Sequence, residues 1–147
     1  MEVLSIFGEN LKELMIYNET SPGTLSEKVG IDPSQIRRYL RGESLPALKN
    51  AIKIADALRC PLDYLFGLSA DFTEKEYPSA PPFSEHFPAF LKKCGYSRYK
   101  LARELKGLTQ SRLSAWVNEK SEPTVENLLK IAAHLSCSLD ELVGRER

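Results

Sequence analysis

Apolar side chains recur along this chain at helical spacing, and the pattern is laid down twice. Phe7, Leu11, Leu14 and Met15 fall on one face of a first helix. Thr20-Ser21-Pro22 then supplies an N-cap and a proline suited to the first turn of a second helix. That helix covers 24–29 and is closed by Gly30, which can take the left-handed conformation at a helix end. Asp32 caps a third helix over 33–41, with Ile36, Tyr39 and Leu40 facing inward and Gly42 ending it. Pro46 starts a fourth, apolar at Leu48, Ala51, Ile52, Ala55 and Leu58, and a short fifth stops at Gly67. The same order returns over 83–93, 98–105, 110–118, 123–135 and 139–143. Nothing alternates with period two for long enough to make a sheet. The prediction is an all-α protein of two five-helix bundles.

The second copy lies about 76 residues after the first and gains one residue at Lys106 or Gly107. Leu25 pairs with Leu101, Gly30 with Gly107, and Ser34 with Ser111. The set Asn50, Lys53, Ile54, Ala55, Leu58, Cys60, Leu62, Asp63, Leu65, Gly67 recurs as Asn127, Lys130, Ile131, Ala132, Leu135, Cys137, Leu139, Asp140, Leu142, Gly144. A fixed long period marks a duplicated structural unit. Domains are therefore expected over 1–68 and 83–147. Between them, 69–82 ends in Tyr77-Pro-Ser-Ala-Pro-Pro, which favours a stiff, extended linker. Phe72 and Tyr77 can pin that linker to a domain. Fully extended, its 14 or so residues reach ~45 Å.

Composition narrows the class. Of 147 residues, 42% are hydrophobic and 27% charged, as in a water-soluble globular protein. No apolar run approaches the ~20 residues that span a bilayer, and Met-Glu-Val-Leu-Ser lacks the basic start of a signal peptide. A cytoplasmic protein is expected. The three cysteines have no metal-ligand spacing, and Cys60 and Cys137 read as small buried hydrophobes. His86 and His134 share no metal partner. No nucleophile–base pair, metal cluster or phosphate loop is evident, so neither an enzyme nor a metal or other cofactor is expected. Twenty basic residues balance twenty acidic ones. The distribution is uneven, about −1 over residues 1–70 and about +3 over 83–147.

The second and third helices of each copy are short and joined by a tight turn, Gly-Ile-Asp or Gly-Leu-Thr, the helix-turn-helix pattern. G-I-D-P-S-Q-I-R-R-Y-L-R-G over 30–42 and G-L-T-Q-S-R-L-S-A-W-V-N-E over 107–119 resemble the Cro/phage-repressor, or XRE, helix-turn-helix family. The following segments, 48–67 and 128–144, resemble it too. The resemblance covers both copies and leaves out only the linker and the extreme termini. It implies two tandem lambda-repressor-like DNA-binding domains in a bacterial or prophage transcriptional regulator, acting in the cytoplasm at the nucleoid.

The resemblance also implies that the third helix enters the DNA major groove with its N-terminal residues on base edges. In copy two these positions are Gln110, Ser111 and Ala115, with Arg112 and Ser114 at the edges of that face. Gln110 can pair bidentately with adenine. Copy one offers Pro33, Ser34 and Arg38, flanked by Gln35 and Arg37, and Arg38 suits a guanine. Phosphate contacts are expected from Ser97, Arg98, Lys100, Asn118, Lys120 and Ser121, and in copy one from Ser21, Arg41 and Ser44. Copy one departs from the family at Pro22, Pro33 and Glu43, the last a carboxylate where lysine is common. In copy two Glu119 replaces the terminating glycine, beside Lys120. Trp116 and Tyr39 read as core, and Asp63 and Asp140 as caps of the fifth helices.

Relatives read palindromic half-sites as homodimers, about 34 Å apart. Self-association or an intramolecular pseudo-dimer is the corresponding expectation here, and unlike third helices predict an asymmetric operator. The rival is a diverged helix-turn-helix scaffold that contacts a protein such as a repressor, a polymerase subunit or a toxin. Zero net charge, Pro22, Pro33 and Glu43 favour it, whereas Gln110, Ser111, Arg98, Lys100 and Lys120 oppose it.

Overall fold

The computed structural model describes residues 3–72 and 74–146. The described chain is helical throughout its regular structure and divides into two compact units, Met1–Tyr77 and Pro78–Arg147. Unit 1 holds α1 (Val3–Tyr17), α2 (Pro22–Val29), α3 (Pro33–Leu40), α4 (Leu48–Leu58) and α5 (Leu62–Leu65). Unit 2 holds α6 (Phe83–Lys93), α7 (Arg98–Glu104), α8 (Gln110–Val117), α9 (Val125–Leu135) and α10 (Leu139–Val143).

Each unit closes around the stripes that the sequence predicts. Phe7, Leu11, Leu14 and Met15 of α1 are buried with Leu25, Ile36, Tyr39, Ile54, Leu58 and Leu65. The Phe7 ring stacks on Phe66 at 5.0 Å and meets Tyr39 edge-on. In unit 2, Phe83 and Phe87 stack at 4.9 Å and both present edges to Trp116. Tyr39 and Trp116 are thus core residues, as expected. The first helix packs on the third and the second lies across it, in both units. Among the described residues, ten have left-handed backbone, and they form five matched pairs, one after each helix. The duplication therefore repeats where the chain turns, beyond repeating its core.

Several boundaries differ from the sequence pattern. The second helix starts at Pro22, two residues early, because the Ser21 hydroxyl accepts the Thr24 N–H at 3.2 Å and Pro22 needs no N–H partner at that position. The fourth helices start at Leu48 and Val125 instead of at Pro46 and Pro123. In unit 2 the reason is local: the Thr124 hydroxyl takes the Asn127 N–H and defines the end. On α4 the buried stripe includes Ile54, while Ile52 is half-exposed, and Leu40 of α3 is half-buried too. Cys60 is buried, Cys137 half-buried and Cys94 exposed.

Asp63 and Asp140 do not cap the fifth helices. The caps are Pro61 and Ser138, and Ser138 forms a reciprocal capping box with Glu141. Asp140 is drawn inside to pair with Arg145, both side chains being essentially inaccessible.

The segment between the bundles is held at both ends. Phe72 packs against Tyr17 and Tyr64, and the Lys75 N–H reaches the Arg59 carbonyl. At the other end, Pro81 crowds Gly144 in unit 2.

Candidate nucleic-acid interface

In unit 2 the interface builds up from two N-caps. Ser97 accepts the Lys100 N–H at 3.0 Å and starts α7, and Thr109 accepts the Arg112 N–H at 3.1 Å and starts α8. With α8 anchored inward by Leu113 and Trp116, Ser111, Ser114, Ala115 and Asn118 fall on the opposite face, and Gln110, three residues before Leu113, lies at its edge in the first turn. Gln110 and Ser111 are exposed and make no side-chain hydrogen bond among the described residues. Ser114 and Ala115 are half-buried. Arg112 is engaged elsewhere: its Nη1 donates to the Gly107 carbonyl at 3.0 Å, which folds it back over the turn.

Of the phosphate candidates, Arg98, Asn118, Lys120 and Ser121 are exposed, and neither Arg98 nor Lys120 has an ion-pair partner among the described residues. Lys100 is half-buried with its ammonium 4.5 Å from the centre of the Tyr96 ring. Ser97 offers phosphate a hydroxyl that already caps α7. Beside this face Glu119 stands at φ +60°, where unit 1 has Gly42 at +72°. Its carboxylate accepts a 2.8 Å bond from the Ser84 hydroxyl.

A brace behind α7 escapes motif reading. Glu104 of α7 accepts from the Tyr96 hydroxyl at 2.8 Å and lies 2.7 Å from His134 Nε2 on α9. The His134 hydrogen bond, followed by that of Tyr96, holds the Glu104 carboxyl below its ordinary range. Glu104 in turn pushes the Tyr96 hydroxyl up. His134 thus fixes one helix of the pair to the scaffold.

In unit 1 the corresponding surface is closed on itself. The Ser34 hydroxyl and N–H both donate to Asp32, at 2.7 and 2.9 Å, and hold that carboxyl low. Gln35 donates to the Ser44 hydroxyl at 3.0 Å. Arg41 donates to Glu43, and Arg38 lies 3.9 Å from the same carboxylate. The Arg41 bond lowers the Glu43 carboxyl and raises the Arg41 guanidinium. Ser21 is spent as the α2 cap. Pro33, the counterpart of Gln110, supplies no donor. Arg37 alone of the three arginines lies outside the Glu43 cluster.

A helix-turn-helix family model matches residues 11–65 and again residues 89–142. The chain belongs to the helix-turn-helix family, in two tandem copies of its XRE type. Over 43 residues it is 40% identical to the cryptic phage CTXphi transcriptional repressor RstR of Vibrio cholerae serotype O1. That stretch is 29% of this chain and 38% of the relative, so the chain spans well under half of the curated protein it matches. No solved structure matches the chain.

Proposed function

We propose that this protein is a sequence-specific, double-stranded-DNA-binding transcriptional regulator, with unit 2 as its principal reader. The observation that carries the reading is the exposed start of α8: Gln110 and Ser111 stand at its first two positions with no side-chain hydrogen bond among the described residues, and Arg98 and Lys120 are exposed as well. A family match over both units supports duplex DNA as the partner. The likeness to a phage repressor favours repression, in the cytoplasm at the nucleoid. The third helix of each unit lies in the major groove, Gln110 pairs with adenine, and Lys120, Arg98 and Asn118 hold phosphates. The protein performs no catalysis and needs no cofactor.

The two units differ on the face that reads bases, so the operator is asymmetric. Tethering makes the second contact intramolecular and offsets a weak unit 1.

The test is affinity for a duplex pool at two salt concentrations. A DNA reader gives a log–log slope of several released counterions. Absence of binding at low salt would sink the proposal in favour of a protein-contact scaffold, for which unit 1's self-paired charges are the supporting observation.

A further inference from the structure

Glu43 occupies in unit 1 the place of Lys120 in unit 2, immediately after the third helix and its left-handed stop. The backbone fixes it there, for the Glu43 N–H donates to the Arg38 carbonyl at 3.0 Å. From that position one carboxylate oxygen takes the Arg41 Nε–H, and the other lies 3.4 Å from Arg41 Nη2 and 3.9 Å from Arg38 Nε. Two carboxylate oxygens on two nitrogens of one guanidinium reproduce the fork by which arginine grips a phosphate. All three side chains are about half exposed. Water can therefore break the pairs readily, and the fold does not depend on them. A phosphate approaching Arg41 nonetheless meets a negative charge within a few ångströms, well inside the Debye length at physiological salt.

We infer that Glu43 is an internal stand-in for a DNA phosphate, which occupies Arg41, screens Arg38 and sets unit 1 as the weaker half of the protein's grip on DNA. The inference rests on the DNA-binding reading above. Unit 1 binds only when a backbone phosphate displaces the carboxylate, so its contribution appears after unit 2 has brought the duplex close. The duplicated unit thereby gains a graded pair of affinities, through a charge reversal that lies outside its core.

The test compares the full-length wild type with E43Q and E43K by fluorescence anisotropy on a short mixed-sequence duplex, across a salt series. E43Q is expected to bind about three- to tenfold more tightly at low salt. Its log–log salt slope should steepen by about one unit, because Arg41 gains a phosphate. E43K should go further in the same direction, and the double variant E43Q/R41Q should lose the gain. Identical affinities and slopes for wild type and both single variants overturn the inference and leave DNA binding in place. Failure of every chain, wild type included, to bind at low salt overturns the DNA reading itself. Circular dichroism melts of E43Q should match wild type, since the carboxylate supports no core contact.

Discussion

The two units fold alike but satisfy the same contacts with different chemistry. Where α1 crosses the end of α3, unit 1 uses glycine: a methyl at Gly8 would lie 2.8 Å from the Tyr39 carbonyl oxygen. Unit 2 has Ser84 at the matching place, donating to Glu119. The carbonyl near the end of the fifth helix is taken by Asn10 in unit 1, at 2.9 Å from Tyr64 O. In unit 2 His86 does this work at 2.9 Å from Glu141 O, and because a carbonyl only accepts, Nε2 must carry the proton. The residue after the fifth-helix stop is Leu68, 52% exposed, in one unit and the fully buried Arg145 in the other. A duplicated backbone tolerates such exchanges provided each polar group ends with a partner. The outer surfaces differ in the same way: unit 1 pairs Ser34, Gln35, Arg38 and Arg41 internally, whereas in unit 2 Gln110 and Ser111 are exposed with no side-chain hydrogen bond among the described residues.

The widest contrast is at Arg145. Truncation to alanine leaves Asp140 buried without its cation and should cost unit 2 about 3–5 kcal/mol. Leu68→Ala at the matching site of unit 1 should stay within about 0.5 kcal/mol. Urea unfolding followed by circular dichroism, with the Trp116 fluorescence reporting unit 2, separates the two. Comparable losses from both variants would show that the buried pair confers nothing special on unit 2.

Gly8→Ala comes next. The added carbon has to push backbone away, so unit 1 should lose about 1–3 kcal/mol, whereas Ser84→Ala removes one exposed hydrogen bond and should cost at most about 1 kcal/mol. Equal effects would mean that the crossing is as loose in unit 1 as in unit 2.

On the DNA side, Gln110→Ala should erase about 1–3 kcal/mol of discrimination at a single operator position. Lys120→Ala should weaken all sequences alike and reduce the salt slope by about one. A binding-site selection on both variants checks this, and uniform weakening by Gln110→Ala would remove it from base reading. A smaller effect is expected at His86. Alanine should cost about 1 kcal/mol, and asparagine, already used at position 10, should recover most of it. A His86→Asn variant as unstable as the alanine would break the proposed equivalence.

The smallest expected effect is on acid sensitivity. Glu104 is held below its ordinary value of 4.5 by His134 and Tyr96, so what it contributes is present above that value and lost as pH falls through its lowered one. Wild-type unit 2 should therefore lose melting temperature more steeply on acidification than Glu104→Gln. In unit 1 the carboxyl lowered by a helix cap is Asp32, so its acid response should track the start of α3 instead. Parallel acid profiles for wild type and Glu104→Gln would remove the brace from the account.

Much of this was legible in the residues. Apolar spacing of three and four picks out each helix, and burying that stripe is the main thing each helix gains from folding. Serine or aspartate before a helix and glycine after it act through backbone groups one to three residues away, so Ser21, Asp32 and Gly30 could be read in place, whereas Ser97, read as a phosphate contact, proved to cap α7. The fifth-helix caps could not, because Asp63 and Asp140 stand one residue inside the helix and the competing cap, Ser138, is equally plausible by type. The candidate positions on α8 were legible through the family resemblance, because Gln110 stands three residues before the buried Leu113 and helical geometry alone does not set it apart.

The sequence by itself determined the duplication, the two cores and the stops at Gly30, Gly42 and Gly67, which follow from short-range spacing and from burial of apolar area, and its motifs carried the resemblance to the family. Only the tertiary structure decided which polar side chains remain available. Arg112 folds back on Gly107, Gln35 is held by Ser44, Arg38 and Arg41 face Glu43, and His134 reaches Glu104 from thirty residues away. The physical reason is that a hydrogen bond or ion pair depends on ångström distances between flexible side-chain ends. Residue type and periodicity specify the backbone that carries those ends, and folding then selects their partners.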